Sequence, residues 1–387
     1  MTDTNWIGRD DQLGAVANAL ERAPWIGIDT EFMREKTFFP KLCLLQISAP
    51  GYIWFIDTLS IADLGPLAGA LMGAESPKIL HAARQDLEAI YLVMRQIVRP
   101  VFDTQIGAAC IGMKAQLGYA DLAKSLLDVS IGKSQTRTDW SRRPLSAAQL
   151  SYAADDVLHL HDIAQRLQER LGELGRTHWV EEDCAQLSNA QLYDPAPERA
   201  WMRLKGISQL PPRSGGIARA LAAWRERLAR EKDLPRSWIL SDSAIFDLAH
   251  ADPRTITQAQ SAAPETSEWS EPVMRSLLET IQTSEAQAPD LEALSQDARP
   301  TPEQKARLVQ LAQTVDRRAA QLGVSAEILA TRSELKSMVM SAKTPKELQT
   351  QALRGWRREQ IGEALLSELQ SPGARSAMVT IPPSPNS

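Results

Sequence analysis

Hydrophobic periodicity changes once along this chain, and that change limits the folds open to it. Up to about residue 172, short apolar runs of strand character alternate with amphipathic helical stretches. From residue 177 onward every periodic segment is helical. Strand-like runs fall at 25–28, 42–47, 52–56, 79–81 and 101–103, and helical periodicity at 86–96 and 147–170. The early runs are separated by turn formers such as Ala49-Pro50-Gly51, which predicts antiparallel neighbours. Later runs are separated by helices. Three close strands followed by strand–helix alternation predict an α/β mixed sheet with helices on its faces, spanning residues 1–180.

The helical remainder is broken by Asp194-Pro195-Ala196-Pro197, by a Pro/Gly-rich stretch at 210–216, and by a third at 288–302. Two units follow, 213–292 and 302–370, each long enough for a small all-α helical bundle. In each, a Ser or Thr precedes a Leu/Ile-rich helix, Ser241 in the first and Thr331 in the second. Both residues are expected to act as helix N-caps in an internal repeat. The Pro/Ser-rich end, 371–387, is expected to be a disordered tail.

A chain of 387 residues is expected to form two or three such domains. No run of 18 apolar residues appears, so no membrane span is expected. The N-terminus, Met-Thr-Asp-Thr-Asn-Trp, lacks the basic and apolar regions of a secretory signal. Cys43, Cys110 and Cys184 are too scattered for a disulfide framework or a paired-cysteine metal site, which suits a reducing cytoplasm. The net charge of −5 argues against indiscriminate coating of nucleic acid. Its distribution matters more. Residues 198–236 hold ten Lys/Arg against four acids, whereas 265–303 hold nine acids against two arginines. The first stretch is expected to offer a basic surface to a phosphate backbone, and the second is not.

The chemistry begins at Ile26-Gly27-Ile28-Asp29-Thr30-Glu31, an apolar strand ending in two acids two residues apart. Strand side chains alternate, so Asp29 and Glu31 share a face, where they repel unless a cation lies between them. Hard divalent ions such as Mg²⁺ or Mn²⁺ favour such oxygens. Asp86 opens a helix after a short strand, and Tyr152 and Asp156 stand four apart on one helix face. Together Asp29, Glu31, Asp86 and Asp156 supply enough oxygens for two divalent ions about 3.5–4 Å apart. A phenol titrates near pH 10 and is a poor base, so Tyr152 is expected to orient a water rather than deprotonate it.

Asp29-Thr30-Glu31-Phe32, the Leu80-His81 to Asp86-Leu87 segment and Tyr152-Ala153-Ala154-Asp155-Asp156 resemble the three exonuclease motifs of the DEDD superfamily, tyrosine subgroup. Intervening segments, including 37–47, Phe102-Asp103-Thr104-Gln105, and Asp139-Trp140 with Arg143-Pro144-Leu145 and Gln149, are similar to ribonuclease D. Leu234-Pro235-Arg236 through Asp242, and Gly355-Trp356-Arg357-Arg358, resemble the HRDC domains that follow its nuclease domain. The resemblance implies a ribonuclease H-like exonuclease domain followed by two HRDC-like domains. It further implies a metal-dependent 3′–5′ exoribonuclease that acts on RNA with a single-stranded 3′ end, with tRNA precursors as the typical substrates. It makes Asp29, Glu31, Asp86 and Asp156 the metal ligands and Tyr152 the residue that orients the water. Asp155 departs from the small or neutral residue usual before the last acid. About 100° of helical rotation separates it from Asp156, which predicts that Asp156 is the ligand.

Phe38 and Phe39, beside the acid strand, are expected to stack on or wedge against terminal bases. Lys133, Arg137, Arg142 and Arg143 lie on a loop before the Tyr152 helix and are expected to contact phosphates, with Trp140 anchoring the loop. Asp57 and Asp103 end strands as Asp29 does but lack a second acid. Asp57 is expected to cap the following helix, and Asp103 either to cap or to support the site. His81 is expected to pack rather than ligate, and His159 and His161 point to different faces. Two other readings stand beside the exoribonuclease: a DNA-directed exonuclease, since no residue reads the 2′-hydroxyl, and an adaptor that binds RNA without cutting it.

Overall fold

The computed structural model describes residues 2–132, 138–285, 300–341, 348 and 350–370. A six-stranded mixed sheet forms the N-terminal layer, in the order β1-β4-β3-β2-β5-β6. Its strands are β1 (Asp3–Ile7), β2 (Ile26–Met33), β3 (Lys41–Ala49), β4 (Tyr52–Ile56), β5 (Lys78–Leu80) and β6 (Val101–Asp103). As expected, β2, β3 and β4 pair antiparallel, while β5 and β6 add in parallel beyond β2. Strand β1 has no counterpart among the expected runs. It is a largely exposed edge strand, paired parallel to β4, and its Asp-Thr-Asn-Trp sequence carries no continuous apolar face to betray it.

Eight helices cover the sheet and its edges: α1 (Leu13–Leu20), α2 (Ala68–Met72), α3 (Arg84–Met94), α4 (Thr104–Cys110), α5 (Tyr119–Leu127), α6 (Ala147–Leu158), α7 (Leu160–Glu173) and α8 (Thr177–Gln186). Residues Leu20, Ile28, Leu45, Ile47, Leu87 and Ile90 pack one face of the sheet, and Leu44, Phe55, Ile79, Val157 and Leu160 pack the other. The single helix expected over 147–170 is two helices, because His159 leaves helical geometry at φ −105°, ψ 3°. Gly27 lets that second face close. A Cβ there would stand 2.3 Å from Ser48 Oγ, which itself donates to the Val157 carbonyl of α6. Since side chains alternate, Asp29 and Glu31 project to this same α6-covered face.

Past residue 186 the chain builds two helical units of parallel design. A long helix, α9 (Pro212–Lys232), is followed by Arg236–Ile239 and Asp242–Ala251. Helices Pro302–Leu322, Ala326–Leu329 and Arg332–Met340 repeat the order, each opening 90 residues after its counterpart. The expected caps are present: Ser241 Oγ accepts from Ala244 N, and Thr331 Oγ1 from Glu334 N. The first unit has its own core of Ile217, Leu221, Ile245, Leu248, Leu277 and Ile281. The second packs Val315, Leu329 and Trp356 against α8, where Trp356 stacks on Trp179 at 4.0 Å and Arg357 pairs with Asp183. The 286–292 portion of the first expected unit and the 371–387 tail lie outside the described residues. Among the described residues no helix is long and apolar enough to cross a membrane.

Candidate active site

Strand β2 runs further than its apolar run suggests. Asp29 and Glu31 lie within it, paired opposite Gln46 and Leu44 of β3, rather than at its end. A bulge between Glu31 and Phe32 then turns the strand away. Antiparallel pairing with β3 imposes the extended form on residues that disfavour it. The third carboxylate comes from α6. A capping box, Ser146 with Gln149, starts that helix and so sets the level at which Tyr152 and Asp156 face the sheet. One oxygen each from Asp29, Glu31 and Asp156 lie within 4.8 Å of one another. Tyr152, one turn before Asp156, hydrogen-bonds its carboxylate.

Asp86 stands beside this trio rather than in it. It occupies the first turn of α3 and accepts a 2.5 Å hydrogen bond from Thr30 Oγ1, on the strand residue between the two acids. Asp103 fixes the approach to that helix. It takes hydrogen bonds from the backbone N–H groups of Ala82 and Ala83 while capping α4 through Gln105 and Ile106. Ala82 needs that support, because it holds a left-handed φ of 54°. Asp103 thus caps α4 and also holds the turn that leads into α3. Thr30 and Ser146 were not singled out in the sequence, although Ser146-x-x-Gln149 before an apolar run is a legible capping signal.

Crowding makes the cluster reluctant to ionise. Burial raises the Asp29 carboxyl well above the usual range, and Asp86, Asp156 and Glu31 add to it. Glu31 is pushed up to about 9, first by burial and then by Asp156 and Asp86. Asp86 and Asp156 are raised to about 7, with burial again leading and hydrogen bonds from Thr30 and Tyr152 partly opposing it. What such a set lacks is positive charge. The buried Gln46 amide, opposite Asp29 on β3, has neither its oxygen nor its nitrogen hydrogen-bonded among the described residues. All-oxygen donors, mutual repulsion and an orphaned amide fit a hard divalent cation. The trio contains Asp156 and not Asp155.

Other expected contacts fall elsewhere. Phe38 is 7% exposed in the core of the first helical unit, under the Arg236 guanidinium at 4.4 Å. A stacking platform must be open, so Phe38 leaves the set of base contacts. Half-buried Phe39 packs against the same core and donates its backbone N–H to Asp233. Arg143 is also spoken for. Its guanidinium donates to Asp57 Oδ1 at 2.6 Å and to the Cys43 carbonyl at 2.7 Å, clamping the loop to the sheet instead of facing a phosphate. At Asp57 burial raises the carboxyl, but Arg143 and Ser60 outweigh it and hold it below the usual value. Asp57 also accepts from Leu59 N and Ser60 Oγ, closing a local turn rather than capping the helix expected after it, since the next helix begins only at Gly65. Trp140 is buried, as an anchor should be. Lys133 and Arg137 lie outside the described residues. His81 bridges Thr104 Oγ1 and the Leu117 carbonyl, and His161 stacks on Trp25 at 4.3 Å, so neither is directed at the acids.

The basic stretch 198–236 is partly turned inward. Arg213, Arg225, Arg230 and Arg236 are paired with Asp252, Asp242, Asp194 and Glu226, and these charges brace the helical unit, because a half-buried guanidinium needs a partner. Arg199, Arg203, Lys205 and Lys232 stay exposed.

Comparison with known proteins agrees with this architecture. A family model described as 3′-5′ exonuclease matches residues 4–172, and an HRDC domain model matches residues 214–263, within the first helical unit. Ribonuclease D of Pseudomonas paraeruginosa is 34% identical over 376 residues, covering 95% of this chain and 98% of that protein. Ribonuclease D of Granulibacter bethesdensis is 34% identical over 374 residues, covering 93% and 91%. The crystal structure of Escherichia coli RNase D, described as an exoribonuclease involved in structured RNA processing, aligns with a TM-score of 0.84 at 28% identity. That alignment covers 95% of this chain and 99% of the other.

Proposed function

The chain belongs to the ribonuclease D family of 3′–5′ exoribonucleases, and from that premise we propose that Asp29, Glu31, Asp86 and Asp156 hold two divalent ions, with tRNA precursors as the substrate. The observation that carries the site assignment is the convergence of Asp29, Glu31 and Asp156 oxygens within 4.8 Å, with Asp86 coupled to them through Thr30. Either Mg²⁺ or Mn²⁺ suits such donors. When bound, such ions compensate the carboxylate charge, acidify water and stabilise a leaving 3′ oxygen.

The chain's own residues do the remaining work. Asp29 and Glu31 are held rigid in a paired strand, so their spacing does not relax when charge enters the site. Tyr152 holds Asp156 by a hydrogen bond and presents its phenol oxygen beside the cluster, where it orients the attacking water. Thr30 keeps Asp86 turned toward β2. Because the terminal nucleotide must leave its stack to reach buried acids, a single-stranded 3′ end is preferred. The unit at 302–370 acts as a second HRDC-like domain, a reading supported by its 90-residue repeat of the first. Three free, buried cysteines fit work in the cytoplasm.

The test is digestion of a 3′-extended tRNA in Mg²⁺ or Mn²⁺, with EDTA and Asp29→Asn as controls and a matched DNA strand alongside. Stepwise 3′ shortening with release of nucleoside 5′-monophosphates, abolished by both controls, is expected. Activity that survives both controls would overturn the metal assignment, and faster loss of the DNA would overturn the choice of RNA.

A further inference from the structure

At the junction between the nuclease layer and the first helical unit lies a cavity of about 370 Å³ whose walls include Arg84, Arg199 and Arg203. A second cavity, of about 230 Å³, shares Arg84 and Arg203 and adds Arg34, Arg230 and Arg236, these three already paired with Glu88, Asp194 and Glu226. We propose that this arginine-lined recess binds the phosphodiester backbone of the RNA strand 5′ to the nucleotide being removed. The proposal rests on the exoribonuclease reading for the identity of the strand and for the place of its 3′ end.

Charge balance is the first argument. The one acid in the larger cavity's wall, Glu226, is engaged by Arg236 through two bonds at 2.5 and 2.8 Å, and Arg203 and Arg230 reach it only at 3.5 and 3.6 Å. Arg84 and Arg199 have no carboxylate partner among the described residues, in a region where most neighbouring arginines do. Arg203 is held below its usual range, by burial first and then by Arg236 and Arg230 nearby. Three guanidinium groups therefore converge with one committed carboxylate between them. An anion bearing several acceptor oxygens in fork geometry satisfies that arrangement.

Position is the second argument. Arg84 begins α3, two residues before Asp86, so the recess opens beside the helix end that presents an acid of the active site. Arg34, at the end of the acid-bearing strand, is paired with Glu88 on the same helix and forms the near wall of the smaller cavity. A strand whose 3′ end lies at the acids would reach the recess by way of the α3 end, where Arg84 and Asp86 stand two residues apart, with Arg199 and Arg203 across the cavity from Arg84. This narrows the RNA-facing role of the basic stretch to the few arginines that internal pairing leaves over.

The experiment is fluorescence anisotropy of a 5′-labelled, single-stranded 12-nucleotide RNA with the full chain in EDTA, across a salt series. Arg84→Glu/Arg199→Glu is expected to weaken binding at least tenfold. Loss of two phosphate contacts should also flatten the slope of log Kd against log salt by about 1.4, from roughly 0.7 per phosphate on single strands. Arg84→Lys/Arg199→Lys should bind within threefold of the unsubstituted protein. If the reversed-charge protein melts early, Arg84→Gln/Arg199→Gln decides, with the same change of slope expected. Unchanged affinity and slope in the Gln protein would overturn the proposal. So would displacement of the labelled RNA by micromolar 5′-UMP or inorganic phosphate, which would make the recess a free-anion site. Because binding is read in EDTA, failure of the metal site leaves this result untouched and shows only in the tRNA digestion.

Discussion

Phe38 distinguishes two accounts of the segment that links β2 to β3. In the structure Phe38 is 7% exposed, belongs to the first helical unit's core, and lies under Arg236 at 4.4 Å and Arg230 at 5.6 Å. Truncating a buried Phe to Ala costs about 3–5 kcal/mol through lost burial and the cavity left behind. Loss of a partly desolvated cation–π contact adds roughly 0.5–2 kcal/mol. Phe38→Ala should therefore destabilise the junction by about 3.5–7 kcal/mol, and Phe38→Leu, which refills much of the space, by under half of that. Urea unfolding followed by tryptophan fluorescence is suitable, since Trp201, Trp224 and Trp269 all belong to or pack on this core. RNA affinity measured well below the transition should move little beyond the unfolded fraction. A Phe38→Ala protein with unchanged stability and sharply weaker RNA binding would refute the anchor and restore the stacking role.

Protonation should couple to metal. Glu31 at about 9, with Asp86 and Asp156 at about 7, binds more protons folded than unfolded, so the metal-free protein loses stability as pH rises from about 5 to 9. Calorimetry in EDTA should show that fall, saturating Mg²⁺ should remove it, and a stability that rises with pH over this window would contradict the electrostatics. At limiting Mg²⁺, kcat/KM should climb over the same range, with a midpoint that drops as Mg²⁺ increases. Asp156→Asn should cost at least a hundredfold in kcat, while Asp155→Asn, outside the carboxylate trio, should stay within about tenfold. The reverse pattern would mean that α6 is rotated from the register described. Trp356→Ala should loosen the last helical unit from α8 by about 3–5 kcal/mol, read as earlier hydrogen exchange in residues 302–340.

The acids were legible because their chemistry is local. Strand alternation puts Asp29 with Glu31, and a four-residue helix step puts Tyr152 with Asp156, so each pair can be read without knowing the fold. Thr30, which holds Asp86, is different: its hydroxyl matters only because α3 passes 56 residues later in the chain. Phe38 and Arg143 were misread for one shared reason. An aromatic or a guanidinium beside an acid strand has the same local signature whether it meets a nucleotide or another part of the protein. Only the first helical unit, through Arg230 and Arg236, in one case, and Asp57 with the Cys43 carbonyl in the other, separates the two outcomes. The arginines of 198–236 repeat the point, since net charge along a sequence cannot show which carboxylates fold back onto it. Strand β1 escaped notice because a half-solvated edge needs little apolar patterning. The division at His159 is likewise unmarked by Gly or Pro.

The central claim is that four carboxylates on β2, α3 and α6 form one divalent-cation site. Counting Mn²⁺ ions bound per chain by titration calorimetry, in buffers of different ionisation enthalpy, tests it most directly. The unsubstituted protein should bind two ions at pH 7.5 with release of protons, since at least Glu31 must give one up. Asp29→Asn should bind at most one ion with fewer protons released. Two ions bound by Asp29→Asn as tightly as by the unsubstituted protein would contradict the account.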